Sequence, residues 1–188
     1  MQDIKEKTDN ELVILVRKDP EALSYIIDRY KNKLEKYISR RTNANLHDRE
    51  DILQEIFIRI YRNINDYDNS LIFSSWIYRI THNYIIDWYR KNKKHISISL
   101  DDDESKLINI LQDESLKIDD TVLSDQENLE LIKKEIKNLP IDYQEILILK
   151  FFEDKSYDEI SDILKISTSS VGVKINRAKK LLKQKIYE

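Results

Sequence analysis

A chain of 188 residues with one glycine and two prolines has almost no means of turning sharply. Tight β-hairpins need residues that tolerate positive φ, and a sheet of any size needs several such turns. Helices need none in their interiors. The scarcity of breakers therefore predicts an all-α fold whose few interruptions fall at capped helix ends. Hydrophobic residues make up 40% of the chain, enough for a packed core, and the 36% that are charged suit the surface around it. With no cysteine, the chain has neither disulfides nor a thiolate metal site. The opening stretch MQDIKEKTDNELVILVRKDP lacks the basic-then-apolar order of a signal peptide, and no apolar run nears the ~18 residues of a membrane span. A cytoplasmic protein with no membrane insertion is expected.

The net charge of −3 conceals three blocks. Residues 1–95 hold 18 basic and 15 acidic side chains, 96–130 hold 2 and 11, and 131–188 hold 12 and 9. The middle block has no aromatic residue and little periodicity, so it reads as an acidic linker, extended or partly helical near its end. Two small helical domains are thus expected, at 1–95 and 131–188.

In the first domain, ELVILVRKDPEALSYIIDRYKNKLEKYI reads as two helices broken near Asp19-Pro20. DREDILQEIFIRIYRNI then places Ile52, Leu53, Ile56, Phe57 and Ile60 on one helical face. The opposite face holds Asp51, Gln54, Glu55, Ile58 and Arg62. Ile58, apolar among charges, is either a lone exposed residue or the centre of a protein-docking face. The loop NDYDNSLIF leads into SSWIYRITHNYIIDWYRKNKKH, where Ile77, Ile80, Tyr84 and Trp88 form the expected core stripe. Arg79, Asn83, Ile86 and Arg90 share another face. Five aromatics between 75 and 90, interleaved with basic residues, either enrich a helical core or offer single-stranded nucleic acid both cations and π faces.

In the second domain, NLPIDYQEILILKFFEDKSYDEISDILKISTSSVGVKINRAKKLL resolves into three helices. Pro140 suits a first helical position. Ser156 with Glu159 forms a capping box for the second helix, and Ser167 caps the third. A helix, a short turn and a helix is the shape that lays its second helix in the DNA major groove. Val171, Ile175, Ala178 and Leu182 face inward. Ser169, Ser170, Val173, Asn176, Arg177 and Lys180 face outward, suited to base edges, phosphates and, at Val173, a thymine methyl. Gly172 flanks that face. It is either tolerated drift or a point of close backbone approach to DNA, since glycine in a helix costs about 1 kcal/mol against alanine.

No catalytic constellation is present. His47, His82 and His95 lack metal-ligand spacing, and no metal or cofactor is expected. A stand-alone helix-turn-helix regulator is one reading, but it would normally dimerise on two half-sites, and nothing here supplies a coiled coil or ligand-binding domain. The two blocks together, in this order and spacing, resemble a bacterial sigma factor of the small two-domain extracytoplasmic-function (ECF) group of the sigma-70 family.

That resemblance implies a non-enzymatic promoter-specificity subunit of RNA polymerase. It implies docking on the polymerase β′ clamp helices through Asp51, Gln54, Glu55, Ile58 and Arg62. It implies minus-ten recognition and melting by Tyr67, Asn69, Ser70, Trp76, Arg79, Asn83 and Arg90, with Tyr67–Ser74 as the pocket for a flipped base. Minus-35 recognition would fall to Ser167, Thr168, Ser169, Ser170, Gly172, Val173, Lys174, Asn176, Arg177 and Lys180, with the same domain on the β flap. The linker would thread toward the active-site channel, and an anti-sigma factor is an expected partner. This chain departs from the family in having Lys165 at a turn that often holds glycine. It also departs in having Gly172 and Val173 where basic residues and hydroxyls are common.

Overall fold

The structure, a computed structural model, describes residues 6–92, 106, 107, 110 and 126–187. Among the described residues every regular element is helical, and the chain divides into two compact units, residues 1–39 with 44–95 and residues 40–43 with 96–188.

In the first unit α1 (Asp9–Lys18) starts on a capping box, with Thr8 and Glu11 bonding each other's backbone N–H groups. It stops at Asp19, where Pro20 cannot continue the ladder and a short 3₁₀ turn leads into α2 (Leu23–Arg41). Asn45 caps α3 (Leu46–Asn63) by accepting from the Asp48 N–H at 2.9 Å. The α3 stripe of Ile52, Leu53, Ile56, Phe57 and Ile60 is buried as the periodicity predicts. Each such side chain is worth roughly 1.5–3 kcal/mol once out of water.

α4 (Phe73–Asn92) is rotated from the expected stripe. Of Ile77, Ile80, Tyr84 and Trp88 only Ile77 is fully buried; the seam runs through Tyr78, Thr81, Ile85 and Tyr89 instead. Thr81 can sit in the core because its hydroxyl donates to the Ile77 carbonyl one turn back at 3.0 Å. Tyr84 stays at the edge, where the Arg59 guanidinium lies 4.5 Å over its ring.

The second unit contains α5 (Gln126–Asn138), α6 (Ile141–Leu147), α7 (Tyr157–Leu164) and α8 (Thr168–Tyr187). Pro140 stands just before α6 rather than inside it, and Gln144 closes the α5–α6 turn by donating to the carbonyls of Lys137 and Leu139 at 2.7 Å. α6 winds on as a π-helical turn through Phe152. Leu139, Leu147 and Ala178 join in one core cluster with Tyr143, Phe151 and Leu181 against it. Most of the acidic linker lies outside the described residues. Of the part described, Leu107 and Ile110 are buried, and α5 begins at Gln126, so the segment is helical near its end as expected.

Candidate nucleic-acid interface

The helix-turn-helix is built by local rules. Ser156 accepts from the Glu159 N–H at 3.2 Å, and Glu159 accepts from the Ser156 N–H at 3.0 Å. Burial pushes the Glu159 carboxyl up, but the Ser156 hydrogen bonds and the Lys155 ammonium at 3.2 Å outweigh it and hold the group below its ordinary range. α7 ends on Lys165, at φ 55 and ψ 44, so the turn that often holds glycine is left-handed here too. Ser167 then opens α8 by accepting from the Ser170 N–H at 3.2 Å.

The inward stripe of α8, Val171, Ile175, Ala178 and Leu182, is buried. The opposite side presents Ser169, Val173, Asn176, Arg177 and Lys180 to solvent, with Ser170 half-buried and Val173 48% exposed. One edge of this face meets α7. There Thr168 donates to Asp158 at 3.1 Å, and a Cβ added to Gly172 would meet the Tyr157 ring edge at 3.5 Å, an ordinary contact. The missing side chain therefore points along the α7 edge, not into the outward face. The other edge meets α6, where Lys174 is paired with Asp142 at 2.6 Å.

In the first unit Asp51, Gln54 and Arg62 are exposed and Glu55 and Ile58 half-buried. Ile58 is not isolated. It borders a groove of about 550 Å³ between α2 and α3, with Leu23, Ile27, Leu53, Phe57 and Tyr61 as its apolar wall and Lys31, Glu35, Arg49 and Glu50 as charged lining. Sequence reading missed the α2 side of this groove, because its residues face α3 only once the hairpin has folded.

The expected minus-ten residues separate into two sets. Asn83 and Arg90 are exposed and Arg79 is half-buried, on the solvent side of α4. Asn69 and Ser70 are exposed on the loop before it. Tyr67 and Trp76 are not available at the surface, at 3% and 7% exposure. Their rings lie 5.2 Å apart, each packed on Phe73, and the Tyr67 hydroxyl donates to the Leu71 carbonyl within its own loop. Trp76 and Tyr78 join Tyr89 in the core, so only Tyr84 and Trp88 of the five aromatics keep partial access to solvent.

The loop is held by α1, to which the sequence assigned no role. Arg17 donates to the carbonyls of Ile64, at 2.9 Å, and Tyr67, at 2.5 Å. Asn10 donates to the Asn69 carbonyl at 3.1 Å, and its amide oxygen lies 3.1 Å from the Tyr67 hydroxyl. Within the loop the Ser70 N–H donates to Asp68 at 2.9 Å, which holds that carboxyl below its ordinary range. Leu71 and Ile72 are left exposed at its end.

The first unit is thus a helical domain with an exposed loop before α4, and the second ends in a helix-turn-helix whose last helix turns a polar face to solvent. Residues 26–95 match the family Sigma-70 region 2 and residues 129–182 match Sigma-70, region 4. The chain is 33% identical over 174 residues to the ECF RNA polymerase sigma factor SigW of Bacillus subtilis (strain 168), covering 90% of this chain and 91% of that one. The solved structure of CnrH in complex with the cytosolic domain of CnrY shares the fold, at a TM-score of 0.62 and 18% identity over 94% of this chain and 95% of that one. So does the sigma factor RpoE in complex with the anti-sigma factor NepR from Bartonella quintana, at 0.57 and 15% over 87% and 96%. The chain belongs to the ECF RNA polymerase sigma factors of the sigma-70 family. The region 2 match over the first unit sets aside the stand-alone regulator. The family is not an enzyme class, and among the described residues no helix is long and apolar enough to cross a membrane.

Proposed function

We propose that this sigma factor docks on the β′ clamp helices of core RNA polymerase through the exposed side of α3, with Asp51, Gln54, Glu55 and Arg62 around Ile58 and the α2–α3 groove beside it. The minus-ten element is read and opened by Asn69 and Ser70 of the loop and by Arg79, Asn83 and Arg90 of α4. Tyr67 and Trp76 serve from inside, by fixing the loop. The minus-35 element is read by the outward face of α8, where Ser169, Val173, Asn176 and Arg177 face base edges and Arg177 and Lys180 reach phosphates. The same unit contacts the β flap, and an anti-sigma factor covers one or both surfaces when the protein is held inactive in the cytoplasm.

The observation that carries this reading is the α8 face: a half-exposed valine set among hydroxyl, amide and guanidinium groups, opposite a fully buried stripe. Apolar and polar groups at base-edge spacing specify sequence, whereas cations alone only supply affinity. The test is selection of binding sites from a randomised promoter library by the reconstituted holoenzyme. One minus-35 and one minus-ten motif at fixed spacing should be enriched over the library recovered with core polymerase alone. Equal recovery of all sequences would overturn the reading.

A further inference from the structure

The basic residues around the α8 face do not stand in equal environments. Arg177 and Lys180 are exposed, and among the described residues no carboxylate pairs with either. Lys174 borders the same face one turn nearer the helix start, yet its ammonium lies 2.6 Å from Asp142 in the first turn of α6. The lysine side chain is 31% exposed and the aspartate 67%. A DNA phosphate approaching Lys174 must therefore displace a carboxylate that is itself fixed to the neighbouring helix and repels the phosphate.

We propose that Asp142 masks Lys174 and so holds down the sequence-independent DNA affinity of this unit, leaving Val173, Asn176 and Arg177 to determine where it binds; the inference rests on α8 being the minus-35 reader. The physical reason is counterion release. A free lysine that neutralises a phosphate releases a condensed cation from the DNA and steepens the salt dependence by about 0.9 per contact on duplex DNA. A lysine already neutralised by Asp142 must first lose that partner, and its net charge toward DNA is cancelled. Removing the carboxylate alone should restore the contact.

The test is a set of holoenzyme titrations between 50 mM and 200 mM salt, on a promoter duplex and on one with its minus-35 element scrambled. The four chains are wild type, Asp142→Asn, Lys174→Ala and the double variant. Circular dichroism confirms their helicity, and Asn keeps the size of the exposed Asp142 side chain. Asp142→Asn should tighten binding to both duplexes and steepen the salt slope by about 0.9, an additional loss of about 3.5-fold over that salt range. Adding Lys174→Ala to Asp142→Asn should cancel the gain and return the wild-type slope, because neither charge of the pair then remains. A double variant with a slope as steep as that of Asp142→Asn, or four identical slopes, would overturn the inference. The minus-35 reading is scored separately, by the preference between the two duplexes: its absence would sink that reading, while the slopes still decide whether Asp142 masks Lys174.

Discussion

Replacing Val173 with serine isolates the claim that α8 reads bases. Fully burying a valine side chain is worth roughly 1.5–3 kcal/mol. Val173 is 48% exposed, so what remains for a thymine methyl to cover is worth about half of that, ~1 kcal/mol or roughly a fivefold change in affinity. Serine and valine have similar helix propensities, so an exposed site should barely register the change in fold stability. The inward stripe is untouched, since Val171 and Ile175 lie on the opposite side of the helix. The assay is a titration of the holoenzyme on duplexes varied singly at each minus-35 position. Discrimination should fall about fivefold at one position and stay unchanged at the others. A Val173→Ser protein with the full wild-type base preference would refute the reasoning.

Four further outcomes follow from the same geometry. Ile58→Asp should weaken binding to core polymerase at least tenfold, by about 1.4 kcal/mol or more, with helicity intact, as read by fluorescence titration and circular dichroism. Lys165→Gly should stabilise the helix-turn-helix by about 1 kcal/mol in denaturant unfolding, because the left-handed turn penalises any residue with a Cβ. Gly172→Ala should raise stability by up to about 1 kcal/mol with unchanged minus-35 affinity, since its Cβ meets only the Tyr157 edge. Glu159 has a folded pKa below its unfolded one, so its stabilisation is present above the unfolded value and lost as pH falls through the folded value. Glu159→Gln should remove that part of the acid sensitivity seen in unfolding curves between pH 7 and about pH 4.

The helices that could be placed from the sequence were those with a single apolar stripe at a period of 3.6. α3 and α8 each carry one, and every residue of both expected stripes is buried, with Lys179 buried beside the stripe of α8. The Ser156–Glu159 capping box was equally legible, because a cap depends on neighbours within one turn. α4 was not. Aromatic residues lie all round it, and a threonine that satisfies its own hydroxyl at Ile77 took the core position that periodicity gave to bulkier side chains. Trp76 looked like a stacking surface for bases, and the resemblance set Tyr67 at the minus-ten pocket, because an aromatic's burial depends on what folds over it, here Phe73 and a loop carbonyl. The roles of Arg17 and Asn10 depend on carbonyls about fifty residues away, and no local signal carries that. Gly172 was ambiguous for the same reason: the direction of its missing side chain acquires meaning only from Tyr157 on the preceding helix.

The central claim is that this chain confers promoter specificity on core RNA polymerase. Its most direct test is run-off transcription from a promoter recovered by holoenzyme selection, with purified core polymerase and with or without the chain. The account predicts a transcript of defined start site that requires the chain, is lost with Ile58→Asp, and is reduced when the base facing Val173 is changed. Equal transcription with and without the chain, from a core enzyme shown to elongate on a primed template, would contradict it.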